Sequence, residues 1–229
     1  MDDMTSAWLA GAIALALILH LAFVARANRN KALAALAANE ASVRTVITDA
    51  ANVSDGTAGV LTWAGSWQGR RVQVRTIVDT LATRKLPARW LSVSITEKVA
   101  VPGIFDMMMR PGSPTTFSNF DHLGHTLPKP GNFPVEAVVR TDRKGAHFPQ
   151  DVIAGHLDLF SEGRAKELLV TPQGVRIVWL LAEADRARYG VFRQAAFDSA
   201  ALDPALLDRL LTAASTLRDS INRHERQFA

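Results

Sequence analysis

A short polar motif in the middle of the chain carries the side chains best suited to chemistry. Asp121, His122 and His125 follow closely on one another, and carboxylate oxygens and imidazole nitrogens are both zinc ligands. A helical turn would bring them together, with His147 or an acidic residue completing the shell. The alternative is two surface imidazoles in a polar loop. Because no second ligand pair follows at matching spacing, we expect no metal and keep these three residues only as candidates.

A second group consists of cations on adjoining predicted strands and their connection. Its members are Arg70, Arg71, Arg75, Arg84, Lys85 and Arg89. Facing a membrane surface, each cation would add about 1 kcal/mol of attraction to anionic lipid headgroups. The alternative is a solvated sheet face with cross-strand ion pairs. We therefore treat the group as a candidate lipid or partner contact.

Sequence signatures of common enzyme and cofactor sites are missing. The chain has no phosphate-binding P-loop, no dinucleotide-binding glycine motif, no His-Glu-x-x-His and no Gly-x-Ser-x-Gly. It also has no cysteine, which excludes disulfides, thiolate metal sites and cysteine nucleophiles. The formal net charge of +4 is spread out, whereas nucleic-acid binders usually show a concentrated stripe. We expect no catalytic residue, no cofactor and no nucleic acid, and a protein that is not an enzyme.

An apolar run at the N-terminus would tether the rest of the chain, including all of these residues, to a membrane. Residues 4–25 contain no Asp, Glu, Lys or Arg. As a helix the run would rise about 33 Å, against a hydrocarbon core of roughly 30 Å. This length predicts a single transmembrane anchor over residues 1–27. The alternative is a signal peptide cleaved near Ala25-Arg26-Ala27, although Asp2 and Asp3 do not suit its positive n-region.

The charges that flank the run predict its orientation. Arg26, Arg29 and Lys31 follow it, whereas no Lys or Arg precedes it. Because cations stay on the cytoplasmic side, the N-terminus is expected outside and the body in the cytoplasm. The expected location is the bacterial inner membrane, and signal cleavage would instead give a periplasmic domain.

Residues 28–55 read as a helical stalk. Apolar residues recur at near-heptad spacing with Glu40 interrupting, so the stalk could support a homodimer or pack on the chain's own body. Residues 56–229 then form the soluble domain, and two hairpins of similar order indicate two related halves, at about 56–133 and 134–229. Between these hairpins, residues 111–134 are rich in proline and glycine, which predicts a long loop folded over the sheet.

The body reads as α+β: an antiparallel sheet packed by two amphipathic helices. Strands with period-two alternation are predicted at 61–78, 89–96, 104–110, 135–140, 168–182 and 188–197. Helices are predicted after Pro149 and after Asp203-Pro204, where an acidic cap precedes proline at the first helical position.

These features favour a non-enzymatic, membrane-anchored protein whose soluble domain binds a membrane-protein partner, as an accessory, scaffold or assembly subunit. One alternative is a tethered hydrolase with its site under the 111–134 loop, using Asp121, His122 or His125. The other is a domain that binds anionic lipid through its arginines.

Overall fold

The computed structural model describes residues 2–79, 86–112, 115–192, 195, 197 and 201–228. In these residues nine strands form one antiparallel sheet, in the order β1-β2-β3-β4-β9-β8-β5-β7-β6. The strands are β1 (Thr48–Asn52), β2 (Val60–Trp67), β3 (Arg70–Asp79), β4 (Ala88–Ile95), β5 (Phe105–Met109), β6 (His125–Leu127), β7 (Ala137–Thr141), β8 (Ala165–Thr171) and β9 (Gly174–Glu183). The helices are α1 (Asp2–Val46), α2 (Gln150–Ala154), α3 (Arg186–Phe192) and α4 (Pro204–Phe228), and 3-10 turns form at Phe120–His122 and Asp158–Glu162.

Local turn chemistry explains the central hairpin. Gln68 and Gly69 connect β2 to β3 with φ values of 48° and 75°. Positive φ at both central residues is the type I′ geometry, whose twist matches that of antiparallel strands. The alternation of apolar and polar residues fixes which face of β3 is buried, since Val72 and Val74 are both buried on one face. The hairpin predicted over 61–78 is present.

Helix α4 covers one face of the sheet, which we call the helix face. Asp203 caps it by accepting a hydrogen bond from the backbone N–H of Ala205 at 2.9 Å. Its apolar side, which includes Leu207, Leu210 and Leu217, is at most 1% exposed. These side chains pack with the inward residues of the strands in one large core. The short α2 and the 3-10 turn at Asp158–Glu162 add to the same layer, so the sheet is packed by helices as the sequence predicted.

The opposite face, which we call the strap face, carries a smaller apolar cluster under the long loop. Phe117 and Phe120 pack there with Ile77, Met108 and Val178. From the same loop Phe133 packs on the helix face, with its ring centroid 6.4 Å from that of Phe105. The 111–134 loop therefore wraps around the sheet and contributes to both of its faces.

The end of α1 packs on the body. Val43 and Ile47 are 0% and 2% exposed. Gly65 on β2 permits this approach, since a Cβ there would lie 2.5 Å from the Ile47 side chain. The predicted stalk, 28–55, is helical as far as Val46, and its last part includes strand β1.

The predicted transmembrane anchor is wrong. Among the residues that the structure describes, no helix combines the length and the apolarity needed to span a bilayer. The fold is therefore an antiparallel sheet with helices and no supported span, and a single-pass membrane protein is not supported. The predicted location in the bacterial inner membrane stays a prediction.

One further expectation differs from the structure. The strand expected at 188–197 overlaps helix α3, which runs from Arg186 to Phe192, and residues 193, 194 and 196 lie outside the described residues. The two related halves stay a prediction, and β5 of the first half pairs with β7 and β8 of the second. Non-local pairing, rather than local order, determined this arrangement.

Candidate functional site

Two buried carboxyl groups lie on the strap face, beneath the long loop. Asp106 alternates along β5 with Phe105 and Met107, which point into the main core, so its side chain points to the other face. Glu167 on β8 pairs in register with Met108, two residues beyond Asp106. Asp106 is 2% exposed and Glu167 is fully buried. Charged groups are rarely buried to this extent without a partner, so this pair is the first candidate site.

Residues 115–123 cover the pair, and we call this segment the strap. The Ser118 hydroxyl donates a hydrogen bond to Oε1 of Glu167. The Phe117 ring packs on Trp90, with centroids 5.3 Å apart at 58°. Phe120 is 3% exposed at the other end of the segment. The strap is therefore held by a hydrogen bond at Ser118 and by apolar packing at Phe117 and Phe120.

Two guanidinium groups flank the carboxyl groups. Arg176 on β9 donates to Oε2 of Glu167 at 2.8 Å. Arg140 on β7 is the register neighbour of Asp106. It donates instead to the strap, reaching the Phe120 carbonyl oxygen at 3.2 Å, and its guanidinium lies 4.7 Å from the Phe120 ring centroid. Glu167 thus has a cationic partner, whereas Oδ1 of Asp106 has no hydrogen-bond partner among the described residues.

Burial and like charge act together on the two acids. Burial, together with the nearby Glu167 carboxylate, raises the pKa of Asp106 to about 8, although Arg176 and Arg140 oppose the rise. Burial also raises the pKa of Glu167, against the opposing effects of Arg176 and the Ser118 hydrogen bond. Because Glu167 has the better cationic contact, we place the proton of the pair on Asp106 at neutral pH.

The site can hold and exchange a proton in an apolar setting. Acid–base groups in enzymes have pKa values shifted in this way. With the strap in place, however, neither carboxyl group reaches solvent. Chemistry on a bound molecule would therefore require the strap to move.

The sequence candidates for metal binding lie at the edge of this site. Asp121 and His122 are exposed in the 3-10 turn, and Asp121 lies 3.7 Å from the Arg140 guanidinium. His125 begins β6 and is half-buried. Within the part of the chain that the structure describes, no three His, Asp or Glu side chains are grouped to hold a metal ion.

The predicted arginine group is divided between the two faces. Arg70 lies on the helix face, where it pairs with Glu97 at 3.2 Å and with Asp219 at 2.6 Å. Arg71 and Arg75 alternate with it and lie on the strap face. Burial lowers the pKa of Arg89. Arg84 and Lys85 lie outside the described residues, and the members that the structure describes do not all share one face.

An open groove on the helix face is a separate feature. It has a volume of about 590 Å³ and lies between α4 and residues 155–159. His156, Asp208 and Arg209 are among its lining residues. Asp208 accepts a hydrogen bond from the Trp67 indole at 2.8 Å, and Arg209 is held by Glu162 at 2.9 Å. Burial, then Arg223, lowers the pKa of His156.

Helix α1 exposes large apolar side chains to solvent between residues 15 and 24. Their exposed fractions are Leu15 58%, Leu17 57%, Ile18 62%, Leu19 61%, Leu21 66%, Phe23 71% and Val24 39%. We call this group the apolar stretch. Apolar patches of this kind on a protein surface mark interaction sites.

Sequence reasoning missed the carboxyl pair. Asp106 interrupts the apolar strand Phe-Asp-Met-Met-Met, and Glu167 precedes Leu-Leu-Val in β8. An acid within an apolar strand is a signal of a buried charge, because strand interiors rarely hold carboxylates without a partner. That signal could have marked each residue, but not their proximity.

Comparisons with known proteins give little. No known protein family matches the chain, and no curated protein matches it. Among solved structures it is similar to the crystal structure of the mycobacterial trehalose monomycolate transport factor A, TtfA, at 11% identity and a TM-score of 0.39. The likeness covers 76% of this chain and 79% of that one. It carries no argument about this chain.

Proposed function

We propose that this protein is a non-enzymatic accessory subunit that binds a partner protein through the apolar stretch of α1. The observation that carries the proposal is the exposure of seven large apolar side chains between Leu15 and Val24. An apolar helix surface is stabilised when another helix or an apolar groove covers it. The chain's own body packs against the other end of α1, so the cover is a second protein.

The size of the apolar stretch suits a stable contact. Burying one Leu or Phe side chain contributes about 1.5–3 kcal/mol, so seven contribute roughly 10–20 kcal/mol before the costs of association. Those costs are about 4–15 kcal/mol. A partner that covers most of the stretch would therefore bind with useful affinity.

The base of α1 favours a rigid presentation. Asn39 and Val43 are buried against the body, and α1 runs without a break from Asp2 to Val46. Leu15 lies about 36 Å along the helix from Asn39, at 1.5 Å per residue. A partner would thus meet a helix whose orientation the body fixes, which reduces the ordering cost of binding.

The test is site-specific photo-crosslinking of the full chain in its native cells. A photoreactive residue at Leu19 should crosslink to one protein, identified by mass spectrometry. The matched control is Val135, which is 92% exposed but lies on the body and should not give that product. The identified protein, once purified, should bind the wild-type chain and lose at least tenfold in affinity for the double variant Leu17→Ser, Leu21→Ser.

Two results would count against the proposal. Crosslinks from Leu19 to a second copy of this chain alone would make the stretch a homodimer contact. Equal crosslinking from Leu19 and Val135 would show that the stretch has no selectivity.

A hydrolase with its site under the 111–134 loop is the second candidate, because Asp106 and Glu167 lie under that loop with raised pKa values. Such an enzyme should cleave at least one of a set of chromogenic ester, phosphoester and glycoside substrates. The activity should fall by at least a hundredfold in Asp106→Asn, which removes an acid–base group. An unchanged rate in a folded Asp106→Asn protein would end this reading.

A further inference from the structure

The Arg140 guanidinium lies between two competing acceptors on the strap face. On the strap side it donates to the Phe120 carbonyl oxygen at 3.2 Å, and it lies 3.7 Å from a carboxylate oxygen of Asp121. On the sheet side its register neighbour on β5 is Asp106. Oδ1 of Asp106 is buried and has no hydrogen-bond partner among the described residues. Arg140 therefore donates to the strap, while Oδ1 of the neighbouring Asp106 has no donor among the described residues.

We propose that residues 115–123 form a proton-controlled strap, which stays closed while Asp106 is protonated and opens when Asp106 ionises and draws Arg140 away from Phe120. A neutral Asp106 attracts the Arg140 guanidinium only weakly. A buried carboxylate is costly unless a cation pairs with it. Ionised Asp106 therefore competes for the guanidinium, and the strap loses its contacts at Phe120 and Asp121.

Other charged groups near Asp106 do not replace Arg140. Glu167 on β8 and Asp121 on the strap disfavour the ionised form. Arg176 on β9 favours it, but that guanidinium is already paired with Glu167 at 2.8 Å. Lys166 on β8 donates to the carbonyl oxygens of Met109 and Arg110. Arg140 is the cation that both directly neighbours Asp106 and holds the strap.

Opening the strap would uncover an apolar surface. Phe117 packs on Trp90, and Phe117 and Phe120 share a cluster with Met108 and Val178. Release of the strap would expose these side chains on an otherwise intact sheet, because the helix-face core does not include them. Loss of the Asp106 proton would thus expose the apolar cluster under the strap, independently of the apolar stretch on α1.

A thiol-labelling experiment on the full chain tests the proposal, since the chain has no cysteine of its own. Met108→Cys places a single thiol under the strap. Its labelling rate, corrected for the thiolate fraction, should rise about thirtyfold between about pH 6.5 and about pH 9, the ratio of ionised fractions for a carboxyl group titrating near 8. Met107→Cys, on the opposite face of the same strand and 0% exposed, should show no such rise.

Variants of the switch itself complete the test. Adding Asp106→Asn should remove the rise at Met108→Cys, whereas Asp151→Asn, at an exposed site on α2, should keep it. Arg140→Gln should label quickly at every pH, and it serves where Asp106→Asn does not fold. Equal acceleration at both cysteines, or a rise that survives Asp106→Asn or Arg140→Gln, would overturn the proposal.

Discussion

Asn39 on α1 accepts a buried hydrogen bond from the backbone N–H of Leu202 at 2.9 Å, across 163 residues of sequence. The bond joins the base of α1 to the segment that leads into α4. Leu202 is itself 2% exposed, so its amide has no access to water. A single amide side chain therefore helps to fix how the long helix leaves the body.

Replacing Asn39 with Ala should lower the free energy of unfolding by about 1–3 kcal/mol, the cost of a buried backbone donor left without an acceptor. Urea unfolding followed by circular dichroism measures it. Asn30→Ala, at an exposed position on the same helix, should change stability by less than about 0.5 kcal/mol. Equal effects of the two variants would show that the bond to Leu202 contributes nothing of its own.

Arg176→Met should destabilise the protein by roughly 3–5 kcal/mol at pH 8, because it leaves Glu167 buried without its cation. The loss should shrink at pH 5, where Glu167 can take up a proton, since its pKa is already raised by burial. The comparison is Arg209→Met, whose ion pair with Glu162 is 46% and 42% exposed and should cost less than about 1 kcal/mol. Chemical unfolding of both variants at both pH values shows whether breaking the buried ion pair costs more stability than breaking the exposed one.

The stability of the wild-type protein should fall as the pH rises, relative to Asp106→Asn. The folded-state pKa of Asp106 is about 8, above its ordinary value of about 3.9, so the folded state binds the extra proton between these values. Stability is then fully present below about pH 4 and is lost progressively up to about pH 8, by at most about 1.4 kcal/mol per pH unit. Unfolding curves from pH 5 to 8.5 test this sign. A stability difference that stays constant with pH would contradict the raised pKa.

Gly174→Ala should be among the most damaging glycine substitutions, because a Cβ at the start of β9 would collide with the Ile95 carbonyl oxygen of β4. Relieving the collision requires the two strands to separate at their paired ends, which we expect to cost about 2–4 kcal/mol. Gly131→Ala, where a Cβ would meet no atom within 4 Å, is the matched control and should be close to neutral. Thermal unfolding of the two variants measures the difference.

Much of the secondary structure could be predicted from local pattern. The β2–β3 hairpin follows from period-two alternation and the Gln68-Gly69 turn, and α4 follows from the Asp203 cap and its apolar stripe. The strand expected at 188–197 was wrong at its start, where the residues up to Phe192 belong to helix α3, because short apolar runs do not distinguish a strand from a helix. The anchor was predicted from hydropathy over residues 4–25, and the described helix does not support it.

The candidate site was not predictable from spacing. The sequence pointed to Asp121, His122 and His125 because they are neighbours in the chain. The pair that the structure brings together, Asp106 and Glu167, is separated by the long loop, β6, β7 and α2. Asp121 borders that pair through its contact with Arg140.

The sequence by itself determined the elements: alternating strands, the tight turn at Gln68-Gly69 and a capped amphipathic helix, each set by interactions among residues close in the chain. The tertiary structure decided which strands lie side by side. Pairing β5 with β8 and β7 placed Asp106 and Glu167 on one face beside Arg140 and Arg176. The reason is that the register of distant strands is set by packing of the whole core, and a buried charge acquires its properties from the neighbours that this register gives it.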